Sequence, residues 1–185
     1  MRTDERLILV GGGVRSGKSA FAQSLAERIG TRRVYLATAQ AGDAEMAQRI
    51  LRHREARGDR FDLIEEPVHV ASALSRLGGY DVVVLDCLTL WMSNLLLRGI
   101  TEEQALAELA KVLDVLCAKT LRCIVVTNEV GMGIVPESPL GRAFRDLAGR
   151  AHQELAAAAS QVYFAVLGCM LRIKPGPVAL FQESP

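Results

Sequence analysis

Near the start of the chain, Gly12-Gly13-Val14-Arg15-Ser16-Gly17-Lys18-Ser19 fits the pattern G-x-x-x-x-G-K-[ST]. The chemistry of such a stretch is phosphate binding. Glycines let backbone N–H groups turn inward around phosphate oxygens, and the N-terminus of a following helix adds a favourable partial charge. Lys18 would reach the β- and γ-phosphates of a nucleotide, and the Ser19 hydroxyl would ligate Mg2+. A loop of this kind works with a carboxylate at the end of a neighbouring strand, and Val82-Val83-Val84-Leu85-Asp86 supplies one in Asp86. Many strands end in Asp for turn reasons alone. Beside the loop, Asp86 reads as the acid on the metal side.

A second cluster is basic: Arg49, Arg52, His53, Arg54 and Arg57. At helical spacing Arg49, His53 and Arg57 share a face, with Arg52 beside them. One reading is a solvated basic face with an incidental histidine. The other is a site for an anionic ligand, where a neutral imidazole attacks an α-phosphorus and the guanidinium groups bind phosphates. Spacing alone does not decide between them. His69 and His152 have no such surroundings and read as structural or surface residues.

The elements that must position these groups follow from the apolar pattern. Short runs at Leu7–Val10, Val34–Ala37, Val82–Leu85, Ile124–Thr127 and Val162–Val166 alternate with longer amphipathic stretches, which predicts an α/β domain with a largely parallel sheet. Runs made mostly of Val, Leu and Ile suit strands covered on both faces. Helices are predicted over Ser19–Ile29, over Asp43–Arg57 with Asp43 as N-cap and Gly58 as stop, and over Leu140–Ala159. A further helix starts at Thr101, whose capping box with Gln104 precedes Leu106, Leu109, Leu113 and Leu116 on one face, and ends near Thr120.

Composition bounds the rest. The chain has 185 residues, 50% apolar and 23% charged, with no linker or repeat, so one domain over residues 1–185 is expected and disordered or collagenous classes are excluded. With 22 basic against 21 acidic residues it lacks the charge that drives non-specific nucleic-acid binding, and 5% aromatic residues offer few stacking platforms for bases. Cys87, Cys117, Cys123 and Cys169 form no C-x-x-C pair and read as buried thiols of a reducing cytoplasm. The charge-free segment Leu155–Leu171 is interrupted by Ser160, Gln161 and Gly168 and is not expected to span a membrane.

Further stretches carry a resemblance: Tyr35-Leu36-Ala37-Thr38-Ala39, the run from Glu45 to Arg54, Glu65-Glu66-Pro67, and Leu85-Asp86-Cys87-Leu88-Thr89-Leu90-Trp91 with Asn94-Leu95-Leu96. The most distinctive is Thr127-Asn128-Glu129-Val130-Gly131-Met132-Gly133-Ile134-Val135-Pro136-Glu137, followed by Gly141-Arg142, Phe144-Arg145-Asp146 and Gly149-Arg150. From about Leu9 to Lys174 the chain resembles the bifunctional adenosylcobinamide kinase / adenosylcobinamide-phosphate guanylyltransferases of cobalamin biosynthesis. The resemblance implies an α/β P-loop NTPase (RecA-like) three-layer fold, in a cytoplasmic enzyme that works as a trimer. It implies two reactions. ATP or GTP phosphorylates the aminopropanol hydroxyl of adenosylcobinamide. GTP then donates GMP to adenosylcobinamide phosphate through a guanylylated histidine, here His53, giving adenosylcobinamide-GDP and pyrophosphate. The family's nucleotide contacts fall on Gly12 to Ser19, on Ala37, Thr38 and Ala39, on Arg54, Glu55, Ala56 and Arg57, and on Glu66 and Asp86. A movement of the His53 helix between the two steps is expected. Val14, Arg52 and His152 depart from the commoner family residues, His152 standing where asparagine is frequent. The rival to this reading is a P-loop kinase of a small metabolite that transfers only the γ-phosphate.

Overall fold

The alternation of apolar runs and amphipathic stretches builds a single sheet with helices on both faces. The computed structural model describes residues 4–180; residues 1–3 and 181–185, and the side chains of Asp4, Glu5, Arg49, Ala56, Ala179 and Leu180, lie outside that description. The strands are β1 (Asp4–Gly12), β2 (Arg33–Ala37), β3 (Asp62–Glu65), β4 (Val82–Asp86), β5 (Arg122–Val126), β6 (Ala159–Val166), β7 (Cys169–Lys174) and β8 (Ala179–Leu180). The helices are α1 (Lys18–Ile29), α2 (Ala44–Arg57), α3 (Val70–Arg76), α4 (Leu88–Leu97), α5 (Glu102–Ala118) and α6 (Pro139–Ala158). The strand order is β3-β2-β4-β5-β1-β6-β7-β8, parallel from β3 to β6 and antiparallel from β6 to β8.

Side chains alternate between the two faces of the sheet. Leu7, Leu9, Val34, Leu36, Val83, Leu85, Cys123 and Val125 pack against α3, α4, α5 and α6, while Ile8, Val10, Tyr35, Val82, Val84, Ile124 and Val126 pack on the α1 side. Three layers result, and β1, β4 and β5 are buried from both sides, as strands made of Val, Leu and Ile require. The capping box at Thr101 is formed, with Gln104 N donating to Thr101 Oγ1 and Thr101 N to Gln104 Oε1. Asp43 caps α2 by accepting from Met46 N at 2.7 Å, and Gly58 ends it with φ of 56°.

One expectation needs correction. Cys87 and Cys123 are buried, but Cys117 and Cys169 are exposed, because the first lies on the outer face of α5 and the second beside the β6–β7 turn. Leu155–Leu171 is the end of α6, all of β6 and the start of β7, and no helix among the described residues is long and apolar enough to cross a membrane.

Candidate active site

Parallel strands place their loops at one edge of the sheet, and ligands gather at those C-terminal ends. There β1 opens into Gly12–Ser19 and α1 begins at Lys18. Gly12 has φ of 153°, and a Cβ there would stand 2.8 Å from Ala165 O, so the loop can leave β1 only through glycine. Gly17 precedes the helix at φ of 89°, and the first turn of α1 carries no acidic side chain to occupy its N–H groups. Lys18 is buried and donates to Gly13 O at 2.9 Å within the loop. Ser16 Oγ is buried and meets no partner among the described residues, which fits a loop whose complement is a phosphate oxygen.

Lys18 and Ser19 border a cavity shared with Asp86, His53 and Arg57. The structure therefore brings the two motifs of the sequence into one place. Ala37 and Ala39 line the same cavity, along with Tyr35, Met46, Ile50, Glu65, Cys87, Leu90 and Asn128. Asp86 ends β4 beside Ala37 in register. Its Oδ2 accepts a hydrogen bond from Tyr35 OH. Burial, reinforced by the neighbouring Asp86, pushes the Tyr35 phenol far above its ordinary range, so it stays a donor. The Arg57 guanidinium lies 4.1 Å from the Tyr35 ring centroid and is itself buried.

Other predicted contacts sit elsewhere. Thr38 is buried and does not line the cavity: its hydroxyl donates to Cys87 O and accepts from Cys87 N, each at 2.8 Å, stitching β2 to β4. Glu66 accepts from Val68 N at 3.0 Å and His69 N at 2.8 Å, ahead of α3. Partial burial works to raise its carboxyl, but the two N–H donors win and hold it below the ordinary value. It is Glu65, one residue earlier, that borders the cavity. Arg54 and Glu55 are exposed on α2, and Val14 and Arg15 are exposed on the phosphate loop.

A polar group behind the loop involves His152, read from the sequence as a structural or surface residue. His152 of α6 shares a hydrogen bond of 2.7 Å with Thr127 Oγ1, and its Nδ1 lies 3.7 Å from Glu129 Oε2. Burial pulls this imidazole below its ordinary value, against the pull of Glu129 in the other direction. Its place on α6 opposite the end of β5 is a property of the fold, not of local spacing.

Oxygen donors suit a hard cation, and Ser19 with Asp86 offers a hydroxyl and a carboxylate at one cavity. Among the described residues no group of three or more His, Cys, Asp or Glu could hold a metal alone. The pair fits Mg2+ that arrives with nucleotide phosphates as its other ligands.

A glycine-rich phosphate loop after β1, an acid ending a neighbouring parallel strand, and helices on both faces define a RecA-like P-loop NTPase. Two solved structures share the fold: the flagellar accessory protein FlaH of Methanocaldococcus jannaschii (TM-score 0.52, 13% identity, covering 96% of this chain and 90% of that one) and the RadB recombinase (TM-score 0.52, 19% identity, 95% and 86%). Within that class, the chain belongs to the CobU family, cobinamide kinase / cobinamide phosphate guanyltransferase, whose profile matches residues 8–173. It is 41% identical over 172 residues to the bifunctional adenosylcobalamin biosynthesis protein CobP of Pseudomonas aeruginosa, covering 92% of this chain and 98% of that protein. It is 41% identical over 183 residues to the protein CobU of the same description from Escherichia coli, covering 91% of this chain and 99% of that protein.

Proposed function

We propose that the chain is one catalytic domain that phosphorylates adenosylcobinamide with ATP or GTP, and then transfers GMP from GTP to adenosylcobinamide phosphate through a guanylylated His53. The observation that carries this reading is the single cavity bordered by Lys18, Ser19, Asp86 and His53. A kinase that moved only γ-phosphate would need the first three; a histidine facing the same cavity, with Arg57 one turn beyond it, supplies a nucleophile for the α-phosphorus.

In the first reaction Lys18 and the N–H groups of the loop hold the phosphates, and the Lys18 ammonium stabilises charge that develops on the β–γ bridge. Ser19 and Asp86 would hold Mg2+, which when bound neutralises phosphate charge. In the second reaction the His53 imidazole forms a bond to the α-phosphorus of GTP as the bond to the bridging oxygen breaks and pyrophosphate leaves. The substrate phosphate then attacks the same phosphorus and releases the imidazole. The phosphoramidate keeps the energy of the broken anhydride, so one difficult displacement becomes two easier ones. The homotrimer and the cytoplasmic location implied by the resemblance belong to the same proposal; ultracentrifugation giving three times the 20.1 kDa chain mass supports the former.

The test uses GTP labelled at the α-phosphorus, with Mg2+, followed by denaturing electrophoresis of the protein and its His53→Ala variant. Acid-labile, alkali-stable label on the native chain and none on the variant is expected. A folded, GTP-binding native chain that takes no label would sink the histidine route and leave the kinase of a small metabolite.

A further inference from the structure

Among the residues that join the two halves of the cavity, Tyr35 is the one that touches both. It is buried in the middle of β2, with 2% of its surface exposed, and its OH donates to Asp86 Oδ2. Its ring carries the guanidinium of Arg57 at 4.1 Å, and Arg57 lies one helical turn beyond His53 on α2. Arg57 is 6% exposed, and among the described residues no carboxylate pairs with it directly. Buried charges are held by partners. Here the partner is an aromatic face whose hydroxyl leads to the carboxylate of Asp86.

The rest of α2 makes this contact matter. Arg57 is the buried residue of the helix, Met46, Ile50 and His53 are half-buried, and its other described side chains are exposed. A helix of 14 residues with so little buried surface depends on its caps and on its one deep anchor. The anchor falls on the face that bears His53. Removing it would leave the helix formed but poorly seated.

We propose that Tyr35 is a positioning residue for both half-reactions: its hydroxyl fixes the orientation of Asp86 at the phosphate side, and its ring seats Arg57 and with it the His53 helix. The second half of this statement rests on the guanylyl-transfer reading above. The ring carries Arg57 and the hydroxyl carries Asp86, with Arg57 also reaching the hydroxyl, so substitutions on both sides of the contact are compared. Tyr35→Phe removes the hydroxyl and keeps the ring. Arg57→Met removes the cation and keeps the stem that packs beside the ring. Tyr35→Leu removes both contacts.

Three readouts are taken on each full-length variant: kinase kcat and KM with GTP, guanylylation of His53, and the rate of trypsin cleavage after Arg52 or Arg54 on α2. Cleavage follows the population in which that helix is unseated. For Tyr35→Phe, a loss of about tenfold in kinase kcat/KM is expected, with cleavage within about threefold of native. For Arg57→Met, cleavage rises and guanylylation falls, each by about tenfold, while kinase kcat/KM, which draws on the cavity that Arg57 also lines, falls by less than guanylylation. Tyr35→Leu combines the two. The proposal is overturned if Tyr35→Phe leaves kinase kinetics unchanged, if Arg57→Met leaves the cleavage rate unchanged, or if every variant lowers all activities by one common factor that tracks its loss of thermal stability. A native chain that takes no guanylyl label removes the histidine reading, and the kinase and trypsin readouts still decide the role of Tyr35. If no phosphoryl transfer is seen either, GTP affinity measured by calorimetry replaces the kinase arm.

Discussion

The phosphate side and the histidine side of the cavity are built in opposite ways. Lys18 opens α1 after the loop that follows β1, and Asp86 ends β4; the core residues Val10, Val84 and Leu85 of these strands are at most 1% exposed and packed from both faces. His53 stands on a helix whose only buried described residue is Arg57. Transfer of a γ-phosphate depends on fixed placement of charge around a small reacting group, and a rigid platform supplies it. On the proposed guanylyl-transfer route the histidine first meets GTP and then presents GMP to a bulky acceptor, which calls for freedom, and a helix held at its caps and one anchor suits that. Packing is thus spent unequally, in accordance with what each group does.

The largest test of this contrast is Lys18→Ala. On the proposed reading both reactions draw on phosphates held at Lys18, so kinase turnover and His53 labelling should each fall by about a thousandfold or more, read by steady-state kinetics and label incorporation. If only one falls, the nucleotide is not shared between the two sides. Next comes the platform itself. Trp91 of α4 is fully buried and donates from Nε1 to Val68 O at 2.8 Å, so Trp91→Ala should cost about 3–5 kcal/mol in chemical denaturation. Leu51→Ala, at a 54% exposed position of α2, should lie within about 0.5 kcal/mol of native in the same experiment.

A smaller effect sharpens the histidine side. Asp43→Ala removes the cap on Met46 N and should weaken α2 by about 1 kcal/mol, seen as faster trypsin cleavage with kinase kinetics unchanged. Smallest is a pH effect behind the phosphate loop. The folded state holds His152 below its ordinary value of 6.5, so the unfolded chain takes up the proton first. The neutral ring's contribution to stability is complete above 6.5 and is lost as pH falls through the window beneath it. His152→Asn should flatten that part of the stability curve, measured by thermal unfolding between neutral and mildly acid pH.

The core strands and the capped helices were legible because their signals are local: β-branched runs, the Thr101–Gln104 box, and Asp43 and Gly58 at the ends of α2. Helix α4 was not, since Leu88, Trp91, Met92 and Leu95 are all buried and the segment lacks the polar face that reveals a period. Strands β7 and β8 were hidden by Arg172, Lys174, Pro175 and Pro177, which read as loop. In the site, Lys18, Ser19, His53, Arg57 and Asp86 line one cavity, a meeting that the spacing within either motif does not carry. Glu65 and Glu66 were harder: neighbours at a strand end point apart, and one faces the cavity while the other braces α3. Tyr35 lies in a stretch that carries the resemblance and His152 at a departure from it, but neither has a local signal for its contacts, which come from strand and helix neighbours that only the folded chain provides.

The bond from Lys18 Nζ to Gly13 O has a kinetic meaning. The ammonium that grips a nucleotide already has an acceptor waiting in its own loop, so a ligand arrives by exchange. When pyrophosphate or a nucleoside diphosphate leaves, the carbonyl of Gly13 takes the lysine back, and the departing anion leaves no stranded charge behind. Some grip is given up on every encounter, in return for a faster exit. On the proposed two-reaction route, where one product clears before a fresh nucleotide enters, the waiting carbonyl of Gly13 would favour that exchange.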